Sequence, residues 1–74
     1  MQLHYFHCTN GVDLVIDRHG KRVRPQQIER CASTIAESLM SGLPRFTDWS
    51  DWLVNVYDAD GSMVAILPFP SIHP

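Results

Sequence analysis

The sequence predicts a two-layer α+β domain of order β-β-α-β-β, with one helix over about residues 25–41 on one face of a four-stranded antiparallel sheet. Three observations carry this expectation. Trp52–Tyr57 and Ser62–Leu67 are two runs rich in β-branched, aromatic and aliphatic residues, joined by Asp58-Ala59-Asp60-Gly61, which is a hairpin pattern. Leu3–Cys8 and Val12–Asp17 repeat that arrangement around Asn10-Gly11. Between the hairpins, Ile28, Cys31, Ala32, Ile35, Ala36, Leu39 and Met40 recur at the three-and-four spacing of an amphipathic helix. One helix covers only one face of an antiparallel sheet, so the other face is left open.

Seventy-four residues suffice for one hydrophobic core, expected over 1–70, with 71–74 as a fraying tail that contains Pro74. At 45% hydrophobic and 19% charged residues the chain reads as globular. No apolar run approaches the roughly 20 residues that span a bilayer, and Met1-Gln2-Leu3-His4 lacks the layout of a signal peptide. The expected setting is therefore the cytoplasm, without a membrane partner. Cys8 and Cys31 have no C-x-x-C spacing, and they read as reduced thiols rather than a disulfide or zinc ligands.

In the first strand, Leu3, Tyr5 and His7 share one face and His4, Phe6 and Cys8 the other. Lys21–Arg24 is expected to form at most a short extra strand. Pro25 suits the first turn of the helix, Gly42 its C-cap, and Pro44 its stop. In the last strand Val64 and Ile66 oppose Met63, Ala65 and Leu67.

One skeleton occurs twice. Val15–Val23 and Val56–Val64 both read V-x-D-x-x-G-x-x-V, which predicts one turn solution used in two places: an Asp-anchored corner closed by Gly. Neither copy supplies the run of oxygen ligands that a calcium loop needs.

Chemistry-bearing residues are sparse. Cys8 and His7 are strand neighbours and point apart, so they make no nucleophile–base pair. His4, His7, His19 and His73 lack metal-ligand spacing, and His7 reads as a hydrogen-bonded sheet residue. Turn capping accounts for Asp17 and Asp58 without acid–base catalysis. No phosphate loop, nucleophile elbow or zinc signature is present. No catalytic, cofactor-binding or metal site is expected.

Two surfaces remain as candidates. Both faces of the C-terminal hairpin carry apolar side chains, and monomers rarely leave such a patch bare. The expectation is a homodimer, with Leu53, Tyr57, Met63 and Leu67 at the interface, through the open face or a sheet edge. The second surface is electrostatic. The net charge is −2, yet five of the six Lys and Arg fall between Arg18 and Arg30. Arg18, Lys21, Arg22, Arg24 and Arg30 are thus candidate contacts for nucleic acid or another anion, against an acidic remainder and without a recognised base-reading motif.

The opening Tyr5-Phe6-His7, the Asp17-x-x-Gly20 corner, the Ala-bearing helix and the ending Trp52-x-Val54-x-Val56-x-Asp58-x-x-Gly61 through Pro68-Phe69 resemble a family of short bacterial proteins classed as a domain of unknown function. Members typically open on Tyr-Phe-Phe-His, where this chain has Tyr-Phe-His. The resemblance implies this fold in a bacterial, soluble setting, and it implies no activity. Function is thus expected to be non-enzymatic: protein–protein interaction or assembly first, nucleic-acid or anion binding second.

Overall fold

The computed structural model describes residues 1–42 and 48–70. The expected stop at Pro44 and the expected tail 71–74 lie outside them. Strands β1 (Gln2–Thr9), β2 (Leu14–Val15) and β3 (Lys21–Val23) precede helix α1 (Ile28–Gly42); β4 (Leu53–Asp58) and β5 (Met63–Pro68) follow it. All pairings are antiparallel. The sheet runs β2-β1-β4-β5, and β3 pairs with β1 on the same side as β2. The α+β architecture is as expected, with a fifth short strand in place of four.

Strand alternation sets the two faces. His4, Phe6 and Cys8 of β1 and Val54 and Val56 of β4 are buried toward α1, where they join Val23, Trp52 and Phe69. The helix contributes the small side chains Ala32 and Ala36, which let its backbone approach the sheet closely. Ile28, Ile35, Leu39, Ala65 and Leu67 pack around this core. At the far end of the β4–β5 hairpin, the rings of Trp49, Trp52 and Phe69 lie with centroids 5.2 to 5.6 Å apart. There the Phe69 N–H donates to the Trp52 carbonyl at 3.1 Å.

Three expected boundaries shift. The residues 25–27 form a 3-10 turn, fixed by the Arg24 N–H donating to Gln27 Oε1 at 3.1 Å, and the α-helix begins at Ile28. It runs through Gly42, which is not in the left-handed region, so Gly42 does not act as the expected left-handed cap. The second strand, expected over Val12–Asp17, shrinks to Leu14–Val15. At its start, Asn10 Oδ1 accepts the N–H groups of Val12 and Asp13, and Gly11 takes φ +92°. This holds Val12 in a turn, 89% exposed. At its end the chain leaves the ladder: the five residues Ile16–Gly20 lie opposite only three of β1, Tyr5–His7. Edge pairing then resumes at Lys21.

That detour is closed by side chains. The Phe6 N–H, at the unpaired stretch of β1, donates to Asp17 Oδ2 at 3.1 Å, and the Asp17 N–H donates to His7 Nδ1 at 3.0 Å. Asp17 Oδ1 also accepts from His19 (3.1 Å) and Gly20 (2.9 Å). The corner is thus a wide interruption within one edge strand, whereas its sequence twin is a true hairpin turn. In the twin, Asp58 Oδ1 accepts from Asp60 and Ser62, and Gly61 takes φ +87°.

Among the described residues no helix is long and apolar enough to cross a membrane.

Candidate interaction surface

Among the described residues, no element covers the face of the sheet away from α1. Paired residues of an antiparallel ladder share a face, so the register places these side chains together: Tyr5 opposite Tyr57, His7 opposite Asn55, Thr9 opposite both Leu14 and Leu53, and Ile66 beside Asn55. Leu14, Leu53 and Ile66 are exposed. A shallow groove of about 440 Å³ runs across this face, with Ile16 on one wall and the Asp58–Gly61 corner at one end.

Its floor is aromatic. The Tyr5 and His7 rings stack with centroids 6.4 Å apart, and His7 meets Tyr57 at 5.4 Å. Because His7 Nδ1 accepts the Asp17 N–H, the neutral ring carries its proton on Nε2. His7 is therefore the hydrogen-bonded sheet residue expected, and it holds the edge detour in place.

Two of the four expected interface residues, Leu53 and Tyr57, lie on this open face. Met63 joins them by a route the alternation did not predict. A register shift at Val56/Tyr57 sets Met63 opposite Tyr57, two residues from Ala65 and yet on the other face. Leu67 does not join them on the open face: it pairs with buried Val54 and packs against the core on the helix side. Sequence reading missed Leu14, Ile16 and Ile66 as open-face residues; the apolar alternation of β5 contained Ile66, but did not say which set met the helix.

All five basic residues of the segment are exposed, but they do not form one surface. Lys21 pairs with His4 and so lies on the helix side, while Arg22 pairs with Leu3 on the open side. Arg18 stands in the corner, Arg24 precedes the 3-10 turn, and Arg30 is on the first turn of α1.

Of the remaining reactive groups, Cys8, His4 and Asp17 are buried or hydrogen-bonded, whereas Cys31 is partly exposed. Burial, and secondarily the negative charge of Asp17, push the Cys8 thiol up to about 11, which makes it a poor nucleophile at neutral pH. His4 is buried on the same face of β1, two positions beyond Phe6, with Nδ1 3.0 Å from the Gln2 carbonyl. Burial acts to raise the Asp17 pKa, but the N–H groups of Gly20, Phe6 and His19, with His7, outweigh it and hold the carboxyl below its ordinary range. Among the described residues no three His, Cys, Asp or Glu side chains are placed to hold a metal ion.

These features define a small sheet-and-helix domain with an aromatic-floored groove on the sheet face away from its helix. Residues 3–70 match the family described as Domain of unknown function (DUF6894), and the chain belongs to it. The match takes in the helix and nearly the whole sheet. No curated protein and no solved structure matches the chain.

Proposed function

We propose that this protein is a non-enzymatic interaction module that assembles as a homodimer through its open sheet face, in the bacterial cytoplasm. The observation that carries the reading is the convergence of exposed Leu14, Ile16, Leu53, Met63 and Ile66 around the Tyr5–His7–Tyr57 floor. Four strand positions at about 4.8 Å by six residues at about 3.4 Å give a footprint of roughly 400 Å², the size of patch that on a monomer is usually functional. A self-complementary face needs no second gene product, and stacking two sheets face to face is a common way to bury such a surface. The footprint is below the roughly 800 Å² per partner of a standard interface, so the dimer is expected to be of modest affinity.

Sedimentation equilibrium tests this directly. A dimer should form in the micromolar range, and Leu53→Glu or Ile66→Glu should give a monomer with an unchanged far-ultraviolet circular dichroism spectrum. Val54→Glu, on the core face, should lose folding instead. A wild-type chain that stays monomeric at high micromolar concentration removes the proposal. The separation of Lys21 and Arg22 onto opposite faces weighs against the basic segment as a continuous nucleic-acid surface.

A further inference from the structure

The two edges of the sheet are finished differently. On the β2/β3 side the edge is broken into two short pieces, its gap is filled by Asp17 and His7, and its second piece carries Lys21 and Arg22. Such interruptions and charges keep other strands from adding to an edge. The β5 side has a six-residue strand, Met63–Pro68, with no charged side chain, and Ile66 is 55% exposed. The Phe69 N–H points inward to Trp52, so by strand alternation the N–H groups of Leu67 and Ala65 also point toward β4. Ile66 and Pro68 then face outward, which is the side where a strand tolerates a proline. Beside this edge, on the helix side, lies a groove of about 510 Å³ between β5 and the start of α1. Pro25, Ile28, Ala65 and Leu67 form its apolar walls, and Glu29 and Asp58 contribute negative charge.

We infer that the β5 edge and this groove bind an extended peptide segment of a partner protein by strand addition, with apolar residues at alternate positions and a Lys or Arg facing Glu29 and Asp58. Main-chain bonds to the Ile66 N–H and the neighbouring outward carbonyl would supply affinity. Alternate side chains entering the groove would supply selectivity. Pro68 at one end and the register shift that leaves Val64 without a partner in β4 at the other confine regular pairing to Ala65–Leu67, so the segment is short. Running antiparallel to β5, it brings its C-terminal end toward Val64, and its basic residue belongs there. This site is an edge, distinct from the open face, and each can fail without the other.

The probe is a blocked seven-residue peptide of alternating valine and threonine with lysine near its C-terminus, titrated into the full chain to millimolar concentration and followed by amide shifts and hydrogen exchange. The Ile66 amide should gain at least tenfold protection. The same peptide N-methylated at alternate residues, unable to pair with β5, should lose binding. Glu29→Lys should weaken binding by about fivefold, the size of one exposed ion pair, and the loss should be recovered with a peptide carrying glutamate in place of lysine. The monomeric Leu53→Glu variant should bind as the wild type does. The inference is overturned by no binding at millimolar peptide, by binding indifferent to N-methylation, or by shifts centred on Tyr5, His7 and Tyr57. It is equally overturned by Ile66 protection that grows with protein concentration without peptide, because the edge then pairs with a second copy, and by loss of binding in folded Leu53→Glu.

Discussion

Asp17 and Asp58 occupy the same place in the same nine-residue skeleton, and replacing each with alanine separates what the sequence cannot. Asp58→Ala removes two bonds to exposed turn N–H groups at 2.9 and 3.0 Å, which water replaces. Such a loss is worth about 1 kcal/mol, as for an exposed cap. Asp17→Ala also removes two turn bonds, but in addition it strips the acceptor from the Phe6 N–H, on a residue that is 2% exposed. A buried donor left unpaired costs about 1–3 kcal/mol, so the total should reach about 2–4 kcal/mol. For a chain of this length, whose stability is about 4–11 kcal/mol, that is a large share. With roughly 4–8 °C of Tm per kcal/mol, Asp58→Ala should lower Tm by about 4–8 °C and Asp17→Ala by at least twice as much. Urea denaturation of both variants, with unchanged m-values, gives the comparison. Equal costs would refute the claim that Asp17 completes the sheet edge.

The same carboxylate makes stability pH-dependent in a defined direction. Its folded pKa is held below the unfolded value, because the N–H groups of Gly20, Phe6 and His19 outweigh the opposing effect of burial. The resulting stabilisation is complete above the ordinary aspartate value of about 3.9 and is lost as pH falls through the lower folded pKa. Asp17→Asn keeps an acceptor oxygen but cannot ionise. The stability gap between wild type and Asp17→Asn should therefore be widest near neutrality and shrink toward pH 3; a gap that widens on acidification contradicts the assignment.

Other expectations follow from single contacts. Gly20 takes φ +72°, and an added Cβ would lie 2.9 Å from the His4 carbonyl and from a Leu3 methyl, whereas Gly61 at φ +87° faces open space. Gly61→Ala should therefore cost about 1–2 kcal/mol from backbone strain alone and Gly20→Ala clearly more, as chemical denaturation would show. Of the two thiols, partly exposed Cys31 should react with a disulfide reagent at pH 8 far faster than buried Cys8; a single fast phase of two thiols would contradict the placement of Cys8. Mixed-sequence RNA at low salt should show no saturable binding. Binding that weakens steeply with salt and disappears in Arg22→Glu/Arg24→Glu would instead establish the basic segment as a nucleic-acid site.

Where the sequence could be read, the reason is that a local rule and the tertiary structure agreed. β1 and β4 alternate strictly, and each has one buried set, so their faces are legible from Phe6, Cys8, Val54 and Val56. The helix likewise follows from its three-and-four spacing, with Ala32 and Ala36 as its buried residues. β5 is different because Met63, Val64, Ile66 and Leu67 are apolar on both sides, which leaves its face assignment open until the register with β4 is known. The shift at Val56/Tyr57 then takes Met63 to the open face and leaves Leu67 packed against the core on the helix side, a distinction no periodicity of two can make.

The repeated corner marks the deeper limit. Val15–Val23 and Val56–Val64 encode the same local chemistry, and both copies obey it: an Asp carboxylate collects turn N–H groups, and a glycine takes positive φ. What each corner does is set elsewhere. After Gly61 the chain reverses and pairs with the strand it has just left. After Gly20 it resumes along β1 in the direction it was already following, because β2 and β3 are both antiparallel to that strand. The deciding groups, the Phe6 N–H and His7 Nδ1, lie eleven and ten residues from Asp17, outside any turn window. The consequence reaches the surface: by spending the first corner on sealing the β2/β3 edge, the fold leaves β5 as its one long uncharged edge among the described residues.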